Sequence, residues 1–277
     1  MPAETLTRRV RGVDIFERRI GSGPPVVVLH GGPGAHHDYL LPGFDLLGNG
    51  RTLIYYDQRG GGRSPVGREV PVGWQEQVAD LEVLRGMWGI DRLTLVGYSW
   101  GAMLAMLYAV QHSASVDRLA LVSPAPASRA EREVFEERFQ ARTMSPALLQ
   151  KRADLRAGGL RERDPAAHAA ELFALAVAGY FHDPDKSPDL TPFRVTERTQ
   201  KEIWASLGDF DIRPELRTLS LPAVVVHGDD DPIPWQTAER TAEALHGRFH
   251  LIADCGHVPQ VEAPEELVAT VDPFLPR

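Results

Sequence analysis

Residues 93–110, LTLVGYSWGAMLAMLYAV, form a run of eighteen without one charged side chain. A run of that length can cross a bilayer, but two glycines and a serine interrupt it, and Arg92 and Gln111 border it closely. It reads instead as three pieces: a buried strand over 93–96, a sharp turn over 97–101 and a buried helix over 102–110. The turn, Gly97-Tyr98-Ser99-Trp100-Gly101, fits Gly-x-Ser-x-Gly, which lifts a serine hydroxyl to the top of a parallel sheet. A strained turn between strand and helix has no room for β-carbons, and the flanking glycines answer that need. Ser99 is then a candidate nucleophile, and the helix behind it aims amide-rich backbone at developing negative charge.

The rest of the chain supplies a sheet for that turn. Strand-like runs occur at 13–20 (VDIFERRI), 25–29 (PVVVL), 52–56 (TLIYY), 116–123, 221–227 and 248–253. Between them, 74–88 has helical spacing, with Val78, Leu81, Leu84, Met87 and Trp88 on one face and Gly89 as the stop. Helices are also expected over 235–245 and 262–271. Strands alternating with helices imply βαβ units, hence a parallel sheet covered on both faces. From 127 to about 213 strand-like runs cease, and stretches such as SRAEREVFEERFQART carry charges that read as solvated helix faces. The expected organisation is a core with its first part at 1–124, an inserted helical lid or cap at 125–213, and the second part of the core at 214–277. SPDLTP at 187–192 is expected to be a loop within the insertion.

Composition narrows the function classes. A net charge of −8 argues against a nucleic-acid partner. The single cysteine, Cys255, forms no internal disulfide and reads as a small buried residue. The first residues carry arginines with no apolar segment after them, so a cytoplasmic location is expected. The loop at 57–64, DQRGGGRS, lacks the spacing of a phosphate cradle and reads as structural. His30 is expected to order its loop. His36, His37 and Asp38 have no second ligand cluster to join, so solvent exposure rather than metal binding is expected for the histidines.

A serine hydroxyl needs a base to take its proton and an acid to orient that base. Downstream of Ser99, Asp229, Asp230 and Asp231 follow the strand ending at His227, and His257 follows the last strand. That is the order and the strand-end placement which a Gly-x-Ser-x-Gly elbow requires.

Five segments together, HGGPG at 30–34, DQRGGGRS at 57–64, GYSWG at 97–101, HGDDDPIP at 227–234 and CGHVPQVEAPEE at 255–266, resemble the α/β-hydrolase superfamily. More narrowly, the chain is similar to the proline iminopeptidase group of serine peptidases. The resemblance covers the sheet domain and is weaker in the helical block. It implies an α/β-hydrolase fold: a mostly parallel sheet, helices on both faces, an inserted helical cap. It selects Asp231 as the acid, with Asp229 as the rival, and His257 as the base. It places an oxyanion hole at the backbone N–H groups of Gly32 and Trp100; Pro33 has no N–H to give. No metal or organic cofactor is implied.

Relatives in this group typically carry a lid glutamate three residues before a Tyr-Phe pair, where this chain has Val177 before Tyr180-Phe181. These three are the candidate pocket residues, with Glu171, Asp183, Glu202 and Asp209 as possible substitutes for the missing carboxylate. Leu172, Phe173, Leu175 and Val177 give the lid an apolar stretch suited to acyl or aryl esters. The expected function is a serine hydrolase of proline iminopeptidase-like type, acting on N-terminal prolyl or small amide substrates. A carboxylesterase for small acyl or aryl esters comes next, and a ligand-binding protein without turnover last. The expected partner is a small molecule or short peptide.

Overall fold

A computed structural model describes residues 3–277. Eight strands form one sheet: β1 (Glu4–Val10), β2 (Val13–Gly21), β3 (Pro25–Leu29), β4 (Thr52–Tyr56), β5 (Leu93–Tyr98), β6 (Val116–Val122), β7 (Ala223–Gly228) and β8 (Arg248–Ile252). Their order across the sheet is β1-β2-β4-β3-β5-β6-β7-β8. The pairs β1/β2 and β2/β4 are antiparallel, and every other neighbour is parallel. Helices α1 (Trp74–Trp88) and α2 (Trp100–Gln111) separate β4, β5 and β6, while α9 (Trp235–Ala244) separates β7 from β8. The chain ends in α10 (Pro259–Glu262) and α11 (Pro264–Val271).

Side chains alternate across each strand, so a strand covered on both faces must be apolar throughout. Val27 and Leu29 point into one core with α1, α2 and α9, and Val26 and Val28 into a second with α11 and the 3₁₀ turn Gly43–Gly48. This explains why β3 and β5 carry no polar alternation.

Between β6 and β7 lies the helical block: α3 (Arg129–Thr143), α4 (Pro146–Ala157), α5 (Leu160–Arg163), α6 (Pro165–Val177), α7 (Glu197–Leu207) and α8 (Arg213–Leu216). No helix among the described residues is long and apolar enough to cross a membrane.

Several local expectations need correction. Strand β1 was not foreseen; it is a largely exposed edge strand, ETLTRRV, whose polar residues hide the period-two signal. Met87 is 47% exposed and not on the buried face of α1. Steps of three residues turn 300° around a helix, so the row from Val78 through Leu84 has rotated out of the core by Met87. The terminal helix over 262–271 is broken at Ala263, where Pro264 starts α11 at its first helical position. Residues 187–189 belong to a 3₁₀ turn, Pro184–Asp189, so only the remainder of SPDLTP is loop. His37 is fully buried rather than exposed. Its ring lies between those of Phe16 and Tyr55, and its Nδ1 is 2.7 Å from Asp57 Oδ1. Arg63 Nε donates to the same carboxylate at 2.7 Å, and the two donors outweigh burial to hold Asp57 far below the usual carboxylate range. The 57–64 loop is thus structural, with an ionic centre inside it.

Candidate active site

Strand β3 lies between β4 and β5, so the chain leaves β3 toward one side of the sheet and returns through β5 on the other. At such a reversal the loops at the carboxyl ends of neighbouring strands part and leave a crevice. The loop 30–34 follows β3 there, and the turn carrying Ser99 follows β5.

Ser99 has φ +52° and ψ −116°, a conformation that L-residues other than glycine rarely adopt. Its neighbours hold it there. Ser99 N–H donates to Val122 O at 3.0 Å, and Ser99 O accepts from Ala125 N at 3.1 Å. A β-carbon at Gly97 would lie 2.6 Å from Ala102 Cα, and one at Gly101 would lie 2.0 Å from Leu29 O. Both glycines are steric necessities of a helix packed this closely on its sheet.

His257 Nε2 stands 3.0 Å from Ser99 Oγ, and its Nδ1 2.7 Å from Asp231 Oδ2. Burial raises the Asp231 pKa, but the His257 and His227 rings and the hydrogen bonds it accepts outweigh that and leave it lowered. With Asp231 ionised, Nδ1 carries the imidazole proton and donates it, so Nε2 accepts from the serine hydroxyl. Ile233 N–H donates to Asp231 Oδ1 at 2.7 Å. The His257 backbone is fastened at both ends: its N–H donates to Tyr180 O at 2.7 Å, and its carbonyl accepts from Tyr98 OH at 2.9 Å. The three aspartates have separate partners. Asp229 Oδ1 accepts from Cys255 N–H, and Asp230 pairs with Arg142 at 2.6 Å and His182 at 3.2 Å. Cys255 is fully buried.

Gly32 and Trp100 line the same cavity as Ser99 and His257, which has a volume of about 630 Å³. Among the described residues, neither the Gly32 nor the Trp100 backbone N–H donates to a protein acceptor. Gly32 takes φ +53°, and its carbonyl accepts from Ala35 N–H at 2.7 Å. His30 orders this loop: its Nδ1 lies 2.9 Å from Gly31 O, and its Nε2 accepts from Gln58 N–H at 3.0 Å. Complete burial lowers the His30 pKa to about 4, so the ring is neutral at pH 7. The Trp100 indole donates to Gln58 Oε1 at 2.8 Å and packs edge-on against Trp204, ring centroids 5.3 Å apart.

Of the three candidate pocket residues, Tyr180 lines the cavity and stacks on His257 at 5.1 Å. Val177 and Phe181 do not line it; both are buried in the second core beneath the helical block, where their apolar surface is taken up. None of Glu171, Asp183, Glu202 or Asp209 lines it either, and Glu202 is held by Arg198.

The cavity has a wall that the sequence reading missed. Arg132, Phe135, Glu136, Phe139, Gln140 and Thr143 of α3 all face it, a row spaced three and four residues apart. The Phe135 and Phe139 spacing was the available signal, overshadowed by charges that read as solvated.

Comparison with known proteins matches the fold. The family model for the alpha/beta hydrolase fold matches residues 24–264. A proline iminopeptidase of Heyndrickxia coagulans is 25% identical over 272 residues, covering 92% of this chain and 91% of that protein. One from Lactiplantibacillus plantarum is 30% identical over 255 residues, covering 86% and 87%. Among solved structures, the proline iminopeptidase of Mycobacterium smegmatis superposes with a TM-score of 0.70 at 24% identity, covering 98% of this chain and 97% of that one. An esterase from Exiguobacterium antarcticum gives 0.71 at 21%, covering 97% and 98%. The chain belongs to the α/β-hydrolase fold family, as a hydrolase of proline iminopeptidase-like type.

Proposed function

We propose that the protein is a serine hydrolase that cleaves an ester or amide by acyl transfer through Ser99, His257 and Asp231. The observation that carries this reading is the continuous line of hydrogen bonds from Ser99 Oγ through both nitrogens of His257 to Asp231. His257 Nε2 takes the hydroxyl proton as Ser99 Oγ bonds to the substrate carbonyl carbon. The carbonyl oxygen becomes an oxyanion facing the Gly32 and Trp100 N–H groups. Collapse of that intermediate breaks the bond to the leaving group, which departs with the proton from Nε2. Water then gives a proton to Nε2 and its oxygen to the acyl carbon, and the acid leaves as Ser99 recovers its hydrogen. Asp231 stays ionised throughout and stabilises the imidazolium.

The named relatives favour an N-terminal prolyl amide as substrate. The cavity favours an ester. An aminopeptidase must hold the substrate ammonium with carboxylates. The one carboxylate lining this cavity among the described residues, Glu136, is already paired with Arg132. The remaining wall, Phe135, Phe139, Tyr180, Phe193 and Val195, offers apolar surface to an acyl or aryl group.

The two substrates separate in one assay, p-nitrophenyl butyrate against proline p-nitroanilide at equal concentration. The ester is expected to turn over faster in kcat/KM, and Ser99→Ala to lower that rate roughly 10⁴-fold or more with unchanged circular dichroism. Faster release from the prolyl substrate reverses the substrate assignment; full turnover by Ser99→Ala removes the mechanism.

A further inference from the structure

We infer that Arg132 is a specificity residue that receives a carboxylate at the far end of the substrate's acyl chain. The inference rests on the acyl-transfer reading above and names its substrate class: esters or amides of dicarboxylic acids attacked at one end.

Three charged side chains line the cavity: Arg132, Glu136 and Lys201. Lys201 is 73% exposed and pairs outward with Glu197 at 2.6 Å, so it contributes little to the interior. Arg132 differs. Its side chain is 22% exposed, and its guanidinium carbon sits 4.1 Å from the centroid of the Trp204 ring. Trp204 in turn meets Trp100, the residue after the nucleophile. Arg132 is therefore held over a ring that itself touches Trp100, the residue after Ser99.

Its hydrogen bonding is incomplete. Nη2 donates to Glu136 one helical turn along α3, while Nε and Nη1 make no hydrogen bond among the described residues. Glu136 is 50% exposed and reaches from the rim, so solvent screens that pair. A guanidinium matches a carboxylate at two points through Nε with Nη2 or through Nη1 with Nη2; Glu136 takes one Nη2 hydrogen, and the other, beside a free neighbouring nitrogen, leaves one fork for a carboxylate. Loss of solvent around Arg132 lowers its pKa even though Glu136 and Glu133 pull it upward, which is the direction expected of a cation whose exposed counter-charges only partly offset its burial.

The position selects the acyl side. A leaving group takes its proton from His257 Nε2, and that ring is flanked by Tyr180 and Phe135. The acyl portion extends from the other side of the scissile carbon, past Trp100 toward Trp204 and Arg132. The terminal carboxylate then meets the guanidinium fork, while an acyl chain ending in ammonium meets a like charge.

The test uses two esters with the same leaving group and chain length, mono-p-nitrophenyl adipate and p-nitrophenyl hexanoate. The native protein is expected to favour the adipate in kcat/KM by about tenfold or more, and raising salt from 50 to 500 mM is expected to erode that preference. Arg132→Gln is expected to lower the adipate-to-hexanoate ratio at least tenfold, mainly through KM, and Arg132→Lys to restore part of it. A ratio at or below one in the native protein, or a ratio unmoved in both variants, overturns the inference while hexanoate turnover leaves the hydrolase reading standing. Failure of both esters counts against the hydrolase reading itself. Should Arg132→Gln not fold, inhibition of native hexanoate turnover by free adipate against free hexanoate gives the same discrimination: adipate must inhibit more strongly.

Discussion

Asp231 and Asp229 are two residues apart and chemically identical, yet only one reaches the imidazole. Asp231 is buried, with His257 on one oxygen and the Ile233 amide on the other; Asp229 is exposed and accepts a single backbone N–H. The difference follows from the turn after β7, which sends Asp231 inward and Asp229 outward. Replacing Asp231 by Asn keeps the shape but lets the amide donate to Nδ1, forcing the proton onto Nε2, where the serine hydroxyl then finds no acceptor. Asp231→Asn is therefore expected to lower kcat by roughly 10⁴-fold, and Asp229→Asn to stay within about threefold of native, because it loses one partly solvated hydrogen bond. Equal losses from both, measured by steady-state turnover of p-nitrophenyl butyrate, argue that the aspartates serve the turn and not the histidine. Ser99 and His257 were legible in the sequence because each stands in the turn after a strand, and strand ends converge in a parallel sheet; strand-end placement left Asp229, Asp230 and Asp231 open, and the family resemblance selected Asp231. Arg132 was not legible, since nothing in SRAEREVF distinguishes a helix facing water from one facing a cavity.

The loop after β3 shows how one element is held in a shape its residues do not prefer. Gly32 is in left-handed backbone, and the two ring nitrogens of His30 tie the loop to its own carbonyl and to Gln58. That arrangement needs a neutral ring. The unfolded chain takes up the His30 proton below about pH 6.5, the folded protein only below about 4, so between these values the unfolded state binds more protons. Stability from this source is complete above about pH 6.5 and declines as pH falls toward 4, by about 3 kcal/mol in all. Urea melts at pH 7 and pH 4.5 are expected to show that decline in the native protein and a shallower one in His30→Gln; identical slopes contradict the assignment. At the same scale, β3 and β5 were readable because burial on both faces leaves them almost wholly apolar, Thr94 being the exception near the start of β5. β1 was not, because an edge strand keeps a polar outer surface. The helical block resisted reading for a related reason. No residue of α3 is fully buried, and the two phenylalanines of the row facing the cavity stand among charges that mask them.

Across the whole molecule, the sheet carries the chemistry to one end. Ser99 follows β5, Asp231 follows β7, His257 follows β8 and Gly32 follows β3, four loops spread over 226 positions from Gly32 to His257. α3 and α7, inserted after β6, then supply Arg132 and Trp204 over that end and enclose a space of about 630 Å³. On the acyl-transfer reading proposed above, the core carries the reaction and the helical block fits the substrate, so changes in the helical block are expected to move specificity without moving the bond that breaks. The core's part is tested most directly by exposing the protein to a fluorophosphonate and mapping the adduct by mass spectrometry. One phosphonyl group on Ser99 is expected, formed at least a hundredfold more slowly in His257→Gln; an unmodified Ser99, or labelling indifferent to His257, contradicts the account.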